Sequence, residues 1–478
     1  MIRGILLESM AKGVLIFSGF LLNIFLARKL GPSEYGIVGI ITSILFFFEL
    51  FLTNGIRQAV SKILSSYNVD ENNLWKKSLI FQVILSTILI IIGILLVNVI
   101  TKFLNIEDYK NYLYLLYAII PLKAIYFLSL GFLNGKLLFK QHSITNAIYS
   151  LSRMVFSITL LILTGKGVLS ILLGTMFAYL VSFFYLRKSI SLREGIDNTV
   201  SFSDLINLTI SALVFYFLIN VFLNVDILLL RGFGTCEEII GVYKANASIG
   251  IVVYYLFASI LQVTYPSISN LHSQKLISSL KNLINTIFLL IFYVTSVAFI
   301  FTNFYSEIII SLFFGQKYLY DINILSWYVS GIGLLSLVIM LGNMLIVFEF
   351  KKYYLIYLFG SLCFFVFLTY LLYDYVYILS TPIALAISSI ITILIFIYLL
   401  NKKKEKIINL KKLLLTFSWL IILVLISVKI FSFFSNRINN VILGFVILIL
   451  YILISIASIK DIRISIKESF NNLIRENQ

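Results

Sequence analysis

The chain has 478 residues, of which 60% are hydrophobic and only 12% charged, with a mean hydropathy of +1.04. A soluble domain is about half apolar and a quarter charged, so this composition excludes a soluble enzyme or binding module and specifies a polytopic membrane protein. The net charge of +16 would suit a nucleic-acid partner, but the basic residues mark connecting segments on one side of the membrane, and no nucleic acid is expected. Cys236 and Cys363 form no spaced pair, and His142 and His272 have no second ligand type nearby in sequence. No disulfide framework, metal site or cofactor is therefore expected.

In chain order, about fourteen apolar windows are long enough to span a bilayer. They cover 10–27, 35–56, 78–100, 112–133, 144–164, 168–186, 206–230, 239–266, 283–303, 326–348, 353–373, 376–400, 413–434 and 441–459. No removable signal peptide is read before them, because the first window lacks a small-residue cleavage site. Between the first two lies RKLGPSEYG. Arg28 and Lys29 sit at a helix C-terminus, where cations suit the macrodipole. Gly31 supplies the left-handed residue that ends a helix, Pro32 suits the first turn of the next, and Glu34 lies at that new N-terminus. The outer connections are short. The longest, 305–325, is half apolar and is expected to lie along the interface. Asp374 is the divider between the eleventh and twelfth windows.

With a cytoplasmic N-terminus, 25 of the 37 basic residues fall in inner segments, 8 in outer segments and 4 within spans. This asymmetry predicts that both termini are cytoplasmic. The tyrosines gather near span ends, as in an interfacial belt, and the cluster at 402–412 suits either topology or anionic head groups.

Arg28, Gly31 and Glu34 recur as Arg231, Gly234 and Glu237 at a constant offset of 203, and at that offset Asn23 matches Asp226. Gln58 and Gln262 match one residue out of step. Six spans per repeat predicts two parallel six-helix bundles with a substrate pathway near the midplane. The domains read as 1–190, a first six-helix bundle; 191–205, a cytoplasmic linker; 206–400, a second bundle; and 401–478, a helix pair and tail. The Arg, Gly and Glu of each turn are read as structural, forming the outer elbow of each bundle.

These motifs resemble a known family. Gly19, Arg28, the Leu30-Gly31-Pro32 turn, Tyr35-Gly36 and the Gly55 and Ala59 pair look like the start of polysaccharide-biosynthesis membrane proteins. These are the lipid-linked oligosaccharide flippases of the multidrug/oligosaccharidyl-lipid/polysaccharide exporter superfamily. Asp226, Gly241, Tyr243, Ala245, Tyr265-Pro266, Ser269 and the Gly315 to Tyr318 run are similar to later family patterns. The resemblance implies an all-α fold of two bundles opening alternately to each side. It implies a polyprenyl-(di)phosphate-linked oligosaccharide as substrate, no catalysis, a place in the cell membrane, and neighbouring polysaccharide-assembly membrane proteins as partners. A multidrug exporter and a peptidoglycan-precursor flippase of the same superfamily are the alternatives. An integral glycosyltransferase or polymerase is more distant, because the outer acidic pairs Glu107-Asp108 and Glu237-Glu238 have no large loop to support them.

A charge at membrane depth costs roughly 2.5–3.5 kcal/mol on insertion scales, so each one needs a reason. Lys123, two residues after Pro121, and Arg153 both fall mid-span. One reading has them line a cationic cavity and bind the phosphate of the carrier; the other has them bonded to backbone carbonyls or Glu49. Asp226 is expected to pair with Lys244, or to exchange a proton or sodium ion. Glu49 is the other candidate for ion coupling. Lys429 is read as snorkelling.

Overall fold

The computed structural model describes residues 2–66, 69–190, 201–348 and 350–403. The linker residues 191–200, the last two expected spans at 413–434 and 441–459, Lys429, and the basic cluster beyond 403 lie outside the described residues. So do the side chains of Gln262, Tyr265 and Pro266. Every long element among the described residues is an α-helix, and nine stretches of them are long and apolar enough to cross a membrane. Two of these, Met10–Ser65 and Lys352–Lys402, hold 56 and 51 residues, enough for two crossings each when about 20 suffice.

Helix α1, Ile2–Leu52, is two arms that meet at Gly31, whose φ of 76° and ψ of 174° are non-helical. Across that break the Tyr35 hydroxyl donates to Asn23 Oδ1 at 3.0 Å. Twelve residues of straight helix would separate the two by about 18 Å. The bond therefore requires the arms to fold back on each other, as the glycine-proline turn predicts. The second arm ends at Leu52, and α2, Asn54–Ser66, continues from it. The carbonyl released at the break is not orphaned, because Gln82 Nε2 donates to Leu52 O at 2.9 Å.

Gln82 belongs to α3, Glu71–Phe103, whose start is capped by Asp70 accepting from the amides of Asn72 and Asn73. Helix α4, Lys110–Gly135, continues through Pro121. Helices α5, Phe139–Thr164, and α6, Gly167–Ser189, then pack together, with Gly174 set directly against Ser157. Where α2, α3 and α4 meet, Ile56, Val60, Ile63, Leu74, Leu128 and Phe132 form one buried apolar cluster.

The seventh expected span, 206–230, is two helices: α7, Phe202–Phe222, and α8, Asp226–Gly232. Asn220 and Asn224 precede and occupy the break. Their side-chain amides donate to Tyr216 O at 2.7 Å and Asn220 O at 3.1 Å, bonds that offer the carbonyls an alternative to the helical ladder. Helix α9, Glu237–Ser273, follows.

The chain forms two compact units, Met1–Ala245 and Asn246–Gln478. The second contains the rest of α9, then α10, Ile277–Phe313; α11, Asn323–Val347; α12, Lys351–Val376; and α13, Ser380–Lys403. Helix α11 is its buried centre, with Gly333 against Thr295 of α10 and Gly342 against the Tyr354 ring of α12. Two expectations are corrected here. The stretch 305–325 is not an interfacial connection along its length, because α10 continues to Phe313 and its apolar first part extends the helix. Asp374 does not divide α12 from α13. It lies inside α12, and the turn comes at Tyr377, whose φ is 48°.

Candidate functional site

The charged centre of the first unit is assembled from the middles of two helices. Lys123 is the fourteenth of 26 residues in α4 and Arg153 the fifteenth of 26 in α5. At 1.5 Å per residue both lie near the bilayer centre. Lys123 Nζ forms an ion pair with the Glu49 carboxylate of α1, with side chains only 8% and 12% exposed. The ammonium also sits 5.6 Å from the Phe127 ring centroid, a cation–π arrangement. Of the two readings for Lys123, bonding to Glu49 is thus present in the structure.

Arg153 differs. Its Nε is buried and meets no hydrogen-bond partner among the described residues. Arg153 lies within electrostatic range of both Lys123 and Lys244, so a third cation joins the two singled out in the sequence. With its Nε donor unspent among the described residues, this guanidinium is suited to a planar or tetrahedral oxyanion.

The expected ion pair between Asp226 and Lys244 is not formed. Asp226 instead accepts from the Tyr243 hydroxyl at 2.8 Å and from the Ile227 amide at 2.9 Å. Lys244 donates to Thr42 Oγ1 at 3.0 Å and lies 5.8 Å from the Tyr35 ring centroid. The reason is helical geometry. Consecutive residues point about 100° apart, so once Tyr243 faces Asp226, Lys244 is turned toward the first hairpin. The residues matched by the repeat keep one chemistry: a tyrosine hydroxyl donates to Asn23 in the first copy and to Asp226 in the second.

The two turns are not equivalent. Arg231 is buried and donates to Leu104 O at 2.6 Å, Asn105 O at 2.6 Å, Thr235 O at 2.9 Å and Glu237 Oε1 at 3.0 Å. Arg28 is exposed. Gly234 takes the positive φ that its counterpart Gly31 takes, and Glu34 stands exposed at the start of the second arm. The elbows also meet through glycine. A Cβ on Gly36 would collide with Glu237 O, and one on Gly241 with Pro32 O.

Sequence reasoning missed Arg57, which reads there as an inner-surface charge. Arg57 lies 5.9 Å from the same Phe127 ring that Lys123 approaches, and its charge reaches buried Tyr126 and His142. Its position just after the break at Thr53, half-buried on α2, was the available signal.

Several solved structures share this fold. A lipid II flippase MurJ in an inward closed conformation matches with a TM-score of 0.76 and 17% identity, covering 94% of this chain and 98% of that one. An inward-facing multidrug resistance MATE family transporter matches at 0.69 and 14% identity, covering 80% and 93%. An outward-facing MATE transporter matches at 0.58 and 14%, covering 82% and 93%. At these identities the likeness is one of fold. No curated protein sequence matches the chain at a significant level. The family model for polysaccharide biosynthesis protein matches residues 25–323, well over half of the chain, and the protein belongs to that family.

Proposed function

We propose that the protein is a transporter that flips a polyprenyl-(di)phosphate-linked oligosaccharide from the cytoplasmic to the outer leaflet of the cell membrane by alternating access. The observation that carries this reading is Arg153, a half-buried side chain at mid-membrane depth whose buried Nε has no acceptor among the described residues. Such a group is costly unless an anion visits it. The nearby Lys123 and Lys244 raise the local positive potential, and the (di)phosphate of a lipid carrier is the anion that membership of a polysaccharide-biosynthesis family supports. In this scheme Arg153 is the primary phosphate ligand. Lys123 joins it when the carrier competes with Glu49 for its ammonium, and Glu49 and Asp226 are the carboxylates available for ion coupling. Both termini are cytoplasmic, and the natural partners are membrane proteins that build or polymerise the same glycan. The role is transport rather than catalysis.

The test is exchange of a fluorescent polyprenyl-diphosphate oligosaccharide across proteoliposomes. Protein-dependent flipping that falls on Arg153→Ala is expected. Full flipping by both the Lys123→Ala and Arg153→Ala variants overturns the assignment. A second reading, flipping of a peptidoglycan precursor, is favoured by the fold likeness to a lipid II flippase. Lipid II in the same vesicles separates the two, and a cationic drug as cargo tests the multidrug alternative.

A further inference from the structure

On α5, His142, Asn146, Tyr149 and Arg153 follow at spacings of four, three and four, which places them in one stripe. The exposed apolar residues of the same helix are Leu151, Val155, Ile162 and Leu163, centred about 150° away at 100° per residue. The apolar side is the one lipid requires, so the polar stripe faces the helices of its own unit. Along that stripe Tyr149 stacks on Tyr179 of α6, with centroids 4.7 Å apart and planes at 25°. It also leans on Tyr126 of α4 at 5.2 Å, and those two rings touch each other at 5.2 Å. Tyr126 and Tyr179 are each 1% exposed, whereas Tyr149 is only half-buried. Two buried rings thus hold a third whose remaining surface stays open.

The amide beside it is also oriented. Tyr126 donates its hydroxyl hydrogen to Asn146 Oδ1 at 3.0 Å, and Asn146 Nδ2 lies 3.4 Å from His142 Nδ1. Arg153 lies one turn beyond Tyr149, about 6 Å along the axis at 1.5 Å per residue.

We propose that Tyr149, with Asn146 beside it, is a sugar-binding floor that recognises the first pyranose of the cargo while Arg153 holds the attached phosphate. The apolar C–H face of a pyranose matches an aromatic ring held flat, its hydroxyls match a fixed amide, and a sugar-to-phosphate step matches one helical turn. This inference rests on the proposed transport of a phosphate-linked glycan and assigns the residues that distinguish a glycosylated carrier from a bare one.

The test measures binding of two probes to the full chain in nanodiscs: a polyprenyl diphosphate bearing N-acetylglucosamine, and the sugar-free polyprenyl diphosphate. Tyr149→Leu is expected to weaken the glycosylated probe about five- to tenfold, the scale of one aromatic contact, and to leave the sugar-free probe unchanged. Tyr149→Phe keeps the ring and stays within about twofold of the parent. Arg153→Ala weakens both probes. If the parent binds both probes and Tyr149→Leu weakens neither, or weakens both equally, the sugar floor is overturned while transport of the carrier stands. If the parent binds neither probe, the proposed function falls and the floor with it.

Discussion

Lys123 and Glu49 neutralise each other within the membrane, their side chains 8% and 12% exposed. A pair of this kind costs much to break and little to delete as a unit, since removing one partner strands the other charge. Lys123→Met and Glu49→Leu should each lower stability in detergent by roughly 3 kcal/mol. The double variant Lys123→Met with Glu49→Leu should recover most of that loss. Thermal unfolding of the four proteins gives the coupling energy directly. Losses that simply add would show that the two side chains act independently.

Arg153 should behave in the opposite way. With no acceptor at its buried Nε among the described residues, it contributes desolvation cost and no hydrogen bond there. Arg153→Met is therefore expected to leave the unfolding midpoint unchanged or raise it, a stabilisation of up to about 3 kcal/mol on the scale of intramembrane charge costs. The same variant should lose at least about tenfold in flipping rate, the equivalent of one charge-assisted hydrogen bond of about 1.4 kcal/mol. A midpoint that falls together with transport would mark Arg153 as a structural residue.

The contrast between these residues shows which kind of information a sequence holds. Spans and elbows depend on bilayer thickness and on local backbone chemistry, so Gly31, Pro32 and the long apolar windows can be read directly, and α1 folds back where they indicate. Lys123 and Arg153 can be placed at mid-depth by counting residues. Which carboxylate answers which cation depends on helix rotation, and that is set by packing. Sequence position pairs Lys244 with Asp226 because both lie near the same membrane face, yet Tyr243 takes that position and turns Lys244 toward Thr42 and Tyr35. The polar stripe on α5 is visible as a periodicity at 142, 146, 149 and 153. Its aromatic backing is not, because Tyr126 and Tyr179 come from two other helices.

The two elbows of the repeat should respond unequally to the same substitution. Arg231 donates to three backbone carbonyls and to Glu237. Arg231→Ala should cost roughly 2–4 kcal/mol, because hydrogen bonds from a charged group are worth more than neutral ones and the buried carbonyls lose their donor. Arg28→Ala, at an exposed position where solvent screens its interactions, should cost no more than about 1 kcal/mol. Hydrogen exchange at Asn105 and Ile106 localises the effect: faster exchange is expected in Arg231→Ala and parent-like exchange in Arg28→Ala. Equal exchange in both variants would remove the assignment of Arg231 as the tie between the α3 end and the α8–α9 elbow.

The glycines where the elbows meet set a sharper limit. A Cβ on Gly36 or Gly241 would run into a backbone carbonyl, Glu237 O in one case and Pro32 O in the other. Backbone cannot rotate away as a flexible side chain can, so Gly36→Ala and Gly241→Ala must push α1 and α9 apart. Overpacking of this kind typically costs about 1–3 kcal/mol, on the order of the larger figure when rigid backbone is the obstacle. Gly19 in α1 has open space where a methyl group would go, with nothing within 4 Å, and Gly19→Ala should be neutral or stabilise the helix by up to about 1 kcal/mol. The three alanine variants share the same chemistry and the same helical setting, so propensity alone would move them together. Loss of folded protein at the two elbow positions, with Gly19→Ala expressed at parental level, isolates the contact between the elbows as the cause.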